Sequence, residues 1–294
     1  MNKEIKGIIP PLLTPFTREG EVYEKGLRDL LEFLLPHING LYPCGTYGSG
    51  PLMRVEQRKK VAEIIVDQVK GRIPVIIHVG SADTQSVIDL AKHAEKIGAD
   101  AVGCIPPYYY VYGEKELLNH YRELLNSVEI PVYLYNNPKT SGNPVSPKLL
   151  GKIAELGLAG VKDSAFDLIN FCFYRMAVSK PDFNFIIGTE AIYLPAAQVG
   201  AIATISGLAN VFPEVMQELY DLIKKKEFEK AAKLQMRVLQ IRQVIKKAGA
   251  TVPICYSILK MRGVDAGMPK LPFLPVSTDL EKKIREELSK FGLI

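Results

Sequence analysis

Eight short apolar runs recur along the 294-residue chain, and they constrain its fold more than any other feature. Their apolarity is continuous rather than alternating, which is typical of strands in a parallel sheet covered on both faces. Successive runs start roughly 20–35 residues apart, about the length of one strand–helix unit. The runs occupy residues 7–13, 38–44, 73–79, 100–105, 130–135, 158–162, 183–187 and 201–205.

Helical periodicity separates these runs. Leucines at 27, 30, 31 and 34 follow the i, i+3, i+4, i+7 pattern before Pro36 stops the helix. Comparable patterns cover residues 56–69, 87–97, 115–125, 147–156 and 192–199. Alternating strands and helices of this number predict an α/β fold, a closed (β/α)8 TIM barrel rather than an open doubly wound sheet.

The strand pattern stops near Val211, and helical patterns continue at 212–226, 227–249, 253–262 and 278–291. The last of these begins with a predicted capping box formed by Thr278 and Glu281. We therefore expect a catalytic barrel at 1–211 and a C-terminal helical region at 212–294 that packs directly on it.

Composition excludes several classes of protein. The net charge of +5 is small and dispersed, so no nucleic-acid partner is expected. No apolar run approaches the roughly 20 residues of a membrane span, and the N-terminal segment lacks the apolar stretch of a signal peptide. The four cysteines form no CxxC pair and the four histidines show no metal spacing. These features predict a reduced, cytoplasmic chain without a metal, in which His93 and His120 face solvent from helices.

Chemistry in a (β/α)8 barrel lies at the carboxyl ends of the strands, where the sixth apolar run ends in Lys162. In the barrel mouth this amine would be partly desolvated, which lowers its pKa and leaves neutral amine to attack a carbonyl. The alternative is a lysine that extends outward to solvent or pairs with Asp163. The pattern alone leaves both open.

Three further segments lie at predicted strand ends. Alternation directs Tyr133 and Tyr135 to the same side, where Tyr135 could relay a proton or simply pack. The glycine-rich turn 45–50 could bind a small carboxylate through its backbone N–H groups and Thr46, or hold no ligand. The loop 106–112 carries four tyrosines in five residues, which suits a site, a subunit contact or packing on its own barrel.

Several short motifs, in order along essentially the whole chain, resemble the dihydrodipicolinate synthase/N-acetylneuraminate lyase family of class I aldolases. They are Thr14-Pro15-Phe16, Gly45-Thr46-x-Gly48, Pro107-Tyr108-Tyr109, Tyr135-Asn136-x-Pro138, Gly160-Val161-Lys162-Asp163, Gly188, Ser206-x-x-Ala209-Asn210 and the segment 262–267. The resemblance implies a (β/α)8 barrel with a C-terminal helical extension, a homotetramer, and pyruvate with an aldehyde or sugar acid as substrates. It also implies that the covalent Schiff base replaces any other cofactor.

The same resemblance implies a role for individual residues. Lys162 matches the Schiff-base lysine, Tyr135 the proton-transfer tyrosine, and Thr46 the group that holds the 2-oxo-acid carboxylate. Tyr109 matches a tyrosine donated across a dimer interface into the neighbouring site. The remaining expected substrate-binding residues are Gly45, Tyr47, Gly188, Ile205 and Thr140.

Departures from the family pattern bear on the substrate. Thr140 stands where dihydrodipicolinate synthases carry an arginine, and the adjacent Lys139 lacks the bidentate fork of a guanidinium. The motifs are more similar to those of archaeal 2-keto-3-deoxygluconate aldolases. The sequence therefore predicts reversible cleavage of a 2-keto-3-deoxy sugar acid to pyruvate and an aldehyde. The alternatives are 4-hydroxy-tetrahydrodipicolinate synthase, which condenses pyruvate with aspartate semialdehyde, and a non-catalytic 2-oxo-acid sensor.

Overall fold

A computed structural model describes residues 4–294, so the first three residues of the N-terminal segment lie outside it. Seven strands form one parallel sheet in the order β1-β7-β6-β5-β4-β3-β2. The strands are β1 (Gly7–Ile9), β2 (Ile76–His78), β3 (Ala101–Cys104), β4 (Val132–Asn136), β5 (Gly160–Asp163), β6 (Asn184–Ile187) and β7 (Ala203–Ile205). This confirms the α/β class and the parallel pairing.

The second apolar run, 38–44, is not the regular strand that the sequence predicts. Its single ladder contact is an isolated parallel bridge between Leu41 and Val75. The run nevertheless donates backbone hydrogen bonds to both edges of the sheet. Asn39 N–H donates to the Ile8 carbonyl (2.8 Å), and Leu41 N–H donates to the Pro74 carbonyl (3.0 Å). Prolines at 10, 11, 43 and 74 interrupt the pairing here because each lacks a backbone N–H.

Within residues 4–211, six of the eight α-helices lie at the predicted places, with ends shifted by a few residues. The eight helices are α1 (Glu24–Leu34), α2 (Val55–Val69), α3 (Thr84–Lys96), α4 (Glu114–Leu125), the short α5 (Pro138–Ser141), α6 (Pro147–Glu155), α7 (Leu168–Ala177) and α8 (Tyr193–Gln198). Periodicity did not predict α7, because Ile169, Phe173 and Met176 are apolar yet exposed. The prediction for His120 is wrong, since this side chain is buried and only 4% exposed.

The C-terminal helices are confirmed as α9 (Pro213–Lys224), α10 (Phe228–Lys246), α11 (Thr251–Met261) and α12 (Thr278–Ser289). The predicted capping box is wrong in detail: Ser277, not Thr278, caps α12 by accepting a hydrogen bond from Leu280 N–H. Glu281 instead accepts one from Ser257 on α11. Within residues 4–294, no helix is long and apolar enough to cross a membrane.

The inner side of the sheet holds a second, smaller core built mainly from isoleucines and tyrosines. A Cβ built on Gly160 would lie 2.5 Å from the Asn184 carbonyl oxygen and 2.6 Å from the Tyr133 ring. Gly160 therefore makes room for Tyr133 inside the sheet. The inner core consists of Ile5, Ile9, Tyr42, Ile76, Ala101, Ile105, Tyr133, Tyr135, Ile186, Ala203 and Ile205.

We expect Gly160→Ala to lower the free energy of unfolding by about 1–3 kcal/mol, because the Asn184 backbone cannot yield to the added methyl group. The measurement is the urea unfolding midpoint at constant m-value. Gly113→Ala is the matched control, because the nearest atom there is the flexible Glu116 carboxylate at 2.7 Å. Equal losses in the two variants would contradict this account of the inner core.

Candidate active site

Lys162 lies near the carboxyl end of β5, directly beside Tyr135 of β4 in the sheet register. Its side chain is only 3% exposed, and Nζ lies 3.7 Å from the centroid of the Tyr135 ring. Asp163 does not pair with it but accepts hydrogen bonds from Asn136 Nδ2 (2.7 Å) and Ala165 N–H (3.2 Å). The structure thus places the lysine inside the sheet and excludes both alternatives of outward extension and pairing with Asp163.

The surroundings of Lys162 shift its amine toward the neutral form. Burial lowers the pKa of Lys162, against a smaller opposing effect of the charge and hydrogen bonding of Tyr135. Among the described residues no carboxylate forms an ion pair with this amine, so no counter-charge of that kind offsets the effect of burial. A neutral amine is the form that attacks a ketone carbon.

Tyr135 joins Lys162 to two polar side chains. Its hydroxyl lies 3.3 Å from Thr46 Oγ1 and accepts a hydrogen bond from Asn137 Nδ2 at 2.9 Å. Burial by itself raises the pKa of Tyr135, but the nearby Lys162 charge together with these hydrogen bonds and one involving Ser164 lowers it overall. The structure therefore brings together Lys162, Tyr135 and Thr46, as the sequence predicts, and adds Asn137.

These side chains line a cavity of about 100 Å³ at the carboxyl edge of the sheet. Three of the other expected substrate-binding residues, Tyr47, Gly188 and Ile205, line it as well. A Cβ on Gly188 would lie 1.9 Å from Ser164 Oγ, so no larger residue fits at this position. The cavity has room for a molecule of only a few heavy atoms.

Three predicted site residues do not line this cavity. Gly45 is buried beneath the Tyr42 ring, and a Cβ built on Gly45 would lie 3.1 Å from the nearest atom of that ring. Thr140 is exposed on α5 and donates a hydrogen bond to the Asn137 carbonyl at 3.2 Å. Tyr109 is 86% exposed, so in a single chain it lies outside the site. Their roles stay predictions.

A second cavity of about 500 Å³ adjoins the first, and both are lined by Tyr47, Phe166, Glu190 and Arg242. Arg242, on α10, forms an ion pair with buried Glu190, which also accepts a hydrogen bond from Ser206 Oγ at 3.0 Å. Sequence reasoning missed this pair because its members lie on separate elements and form no motif. The outer cavity is cationic, since Lys139 and Lys246 also line it.

Within residues 4–294, no cluster of three or more His, Cys, Asp or Glu side chains is arranged to hold a metal ion. All four cysteines are free thiols. Burial raises the pKa of Cys44 to about 11, and that of Cys104 and of Cys255 to about 12. These thiols therefore stay protonated at neutral pH.

Comparisons with known proteins agree with this fold and site. The model of the dihydrodipicolinate synthetase family matches residues 4–291. The 4-hydroxy-tetrahydrodipicolinate synthase of Methanopyrus kandleri is 33% identical over 299 residues, covering 100% of this chain and 99% of that protein. A DapA-like lyase of uncharacterised function from Halobacterium salinarum is 31% identical, covering 99% of this chain and 95% of that protein.

Solved structures give the same result. YagE, a prophage protein of the dihydrodipicolinic acid synthase family from E. coli K12 solved in complex with pyruvate, matches with a TM-score of 0.95, at 27% identity and 99% coverage of both chains. CdNal from Clostridium difficile, solved in complex with mannosamine, matches with a TM-score of 0.93, at 26% identity, over 98% of this chain and 100% of that one.

The fold and the matches define a pyruvate-dependent carbon–carbon lyase of the class I aldolase type. More particularly, the chain belongs to the dihydrodipicolinate synthetase family. The further expectation of a special likeness to archaeal 2-keto-3-deoxygluconate aldolases stays a prediction.

Asp163 makes folding stability depend on pH. Burial raises its pKa from the ordinary 3.8 to about 6. Between these values the folded protein keeps a proton that the unfolded chain has lost, so stability decreases as pH rises through this window, by about 3 kcal/mol at most. We expect Asp163→Asn to remove this decrease in urea unfolding series, whereas Asp182→Asn, an exposed control, should retain it. An unchanged pH dependence in Asp163→Asn would refute the assignment.

Proposed function

We propose that Lys162 forms an imine with the ketone of pyruvate and that Tyr135 moves protons at the adjacent carbon. The observation that carries this proposal is the buried Lys162 amine, which lines a small cavity, lies 3.7 Å from the centroid of the Tyr135 ring and has no carboxylate partner among the described residues. Thr46, whose hydroxyl bonds to Tyr135, would hold the carboxylate of pyruvate.

The chemistry follows from the charge on the imine. Lys162 Nζ bonds to the ketone carbon, and the ketone oxygen leaves as water. The resulting iminium draws electrons from the neighbouring carbon, so that losing a proton there gives an enamine. The enamine then bonds to the carbon of an aldehyde, or forms when such a bond breaks. Since the iminium is the electron sink, the proposal requires neither a metal nor an external cofactor.

The proposal places this chemistry on a (β/α)8 TIM barrel at 1–211, followed by a helical region at 212–294. It includes a homotetramer in which Tyr109 completes the site of a neighbouring copy. Support comes from the exposure of three successive apolar or aromatic residues on one loop: Tyr109 is 86%, Tyr110 66% and Val111 84% exposed. Residues of this type on a loop suit a contact between subunits.

We favour aspartate semialdehyde as the second substrate. The sequence alone ranks cleavage of a 2-keto-3-deoxy sugar acid first, and our proposal reverses that order. The relative from Methanopyrus kandleri named above is a 4-hydroxy-tetrahydrodipicolinate synthase, as is one from Methanothrix thermoacetophila at 31% identity. The cationic outer cavity supports an aldehyde that carries a carboxylate. Besides Lys139, Arg242 and Lys246 line this cavity, and the sequence-based argument from Thr140 did not consider their charge.

Cleavage of a 2-keto-3-deoxy sugar acid is the second candidate. Thr140 favours it, because a dihydrodipicolinate synthase of the usual pattern has an arginine there. Glu190, which lines both cavities, also offers a carboxylate that can accept a hydrogen bond from a sugar hydroxyl. A non-catalytic 2-oxo-acid sensor gains no support, because a pure binder has no need of a buried lysine whose amine has no carboxylate partner among the described residues.

Incubation with pyruvate and borohydride should attach one reduced pyruvate adduct to Lys162, because borohydride converts the imine to a stable amine. Peptide mass spectrometry locates the label. Lys162→Ala should remain unlabelled, while Lys60→Ala, which removes an exposed lysine on α2, should label as the parent does. A labelled Lys162→Ala protein, or an unlabelled parent, would sink the proposed mechanism.

Steady-state turnover decides the second substrate. We expect kcat/KM with pyruvate and aspartate semialdehyde to exceed that for cleavage of 2-keto-3-deoxygluconate by at least about tenfold, a difference of roughly 1.4 kcal/mol in transition-state binding. Lys246→Ala should raise KM for the semialdehyde while the pyruvate adduct still forms. Faster cleavage of the sugar acid would establish the second candidate instead.

A further inference from the structure

Tyr42 is a second aromatic residue in contact with Lys162. Lys162 Nζ lies 4.1 Å from the centroid of the Tyr42 ring, and the Tyr42 and Tyr135 rings meet edge to face, 5.9 Å apart at 78°. Unlike Tyr135, Tyr42 is not among the residues that line the cavity around Lys162. It therefore contacts the amine without occupying the space where a substrate would bind.

The hydroxyl of Tyr42 does not explain why a tyrosine stands here. Tyr42 is 1% exposed, and its Oη is buried without a hydrogen-bond partner. Gly103 makes room for this atom, since a Cβ at that position would lie 2.5 Å from it. A buried hydroxyl without a partner costs stability, so the useful part of Tyr42 is its ring.

His78 supports both aromatic rings. Its imidazole centroid lies 5.8 Å from the ring of Tyr42 and 5.8 Å from that of Tyr135. His78 Nδ1 lies 3.1 Å from the Cys44 carbonyl oxygen, which can only accept, so Nδ1 carries the proton. Arg58 Nη2 donates to the His78 carbonyl at 2.6 Å and fixes the backbone.

His78 is also held uncharged. Burial, followed by the positive charges of Arg58 and Lys162, lowers the pKa of His78 well below its ordinary value. The imidazole therefore adds no charge of its own beside the lysine at neutral pH. Tyr42 and Tyr135 thus present aromatic ring faces to the Lys162 amine, and His78 packs against both rings.

We propose that Tyr42 is a positioning residue whose ring, supported by His78, holds Lys162 Nζ against Tyr135 and stabilises its cationic forms. The face of an aromatic ring attracts a cation through its quadrupole, and this attraction is stronger away from water. Because no carboxylate pairs with Lys162, the ring faces stabilise both the ammonium of the free enzyme and the iminium of the intermediate. This inference rests on the proposed function, since it takes imine formation at Lys162 as given.

The ionisable groups near the amine are few, which makes a pH titration interpretable. Tyr135 from β4 and His78 from β2 flank it, with Arg58 of α2 behind His78. The Glu190–Arg242 ion pair lines the same cavity. None of these groups changes in a variant of Tyr42.

The test measures the rate of pyruvate trapping by cyanoborohydride as a function of pH in three proteins. Tyr42→Phe keeps the ring, whereas Tyr42→Met fills the space with an apolar chain that has no ring face. Loss of the ring destabilises the ammonium, so the pH at half-maximal rate should fall by about 0.5–1 unit in Tyr42→Met. The plateau rate should fall by about tenfold, because the amine is no longer held in place. Tyr42→Phe should match the parent protein in both the pH at half-maximal rate and the plateau rate.

Two results would overturn the proposal: a Tyr42→Met profile equal to that of the parent, or a Tyr42→Phe profile shifted as far as that of Tyr42→Met. A purely structural role would lower stability without moving the pH midpoint. Tyr42→Leu combined with Gly103→Ala is a second ringless variant, in which the added methyl fills space beside the lost hydroxyl. If Tyr42→Met does not fold, the pH midpoint and plateau rate of this double variant decide the question instead.

The same experiment separates the two proposals. If the parent protein acquires no label on Lys162, the proposed function fails. If the parent is labelled but neither ringless variant shifts the midpoint, the proposed function stands and the positioning role of Tyr42 is wrong.

Discussion

The burial of one amine without a carboxylate partner is the constraint on which the rest of the site depends. An ammonium taken out of water loses several kcal/mol of solvation unless a counter-charge replaces it. Around Lys162 the protein offers ring faces and a tyrosine hydroxyl instead. These groups offset only part of that loss, so the pKa of the amine is lowered toward the neutral form that its nucleophilic chemistry requires.

Holding that amine requires an interior in which each large aromatic ring lies against a small residue that leaves space for it. Tyr42, Tyr133 and Tyr135 project into the sheet, and glycines 103 and 160 leave the space that these rings occupy. Gly188 opens the cavity beside Ser164 in the same way. The glycines therefore act through the volume they leave free rather than through backbone flexibility.

Much of the fold was predictable because periodicity is a local property. Seven of the eight apolar runs are strands and the C-terminal helices lie where predicted. The run 38–44, among several prolines, bonds to both edges of the sheet without forming a regular strand. Of the site, Lys162, Tyr135 and Thr46 were predictable from motifs at strand ends. Arg242 and Glu190 were not, because 52 residues separate them and only packing of α10 brings them together. Tyr42 lies in an apolar run and gave no reason to be distinguished from core.

The sequence by itself determined the alternation of strands and helices, the family motifs and the lysine at the end of β5. Local patterns suffice for these, because side-chain periodicity and motif order are properties of neighbouring residues. The tertiary structure alone decided that Lys162 points inward, that aromatic rings rather than Asp163 surround it, and that cations line the outer cavity. These depend on strand register and helix packing, which bring together residues far apart in the chain, and burial then sets their charge.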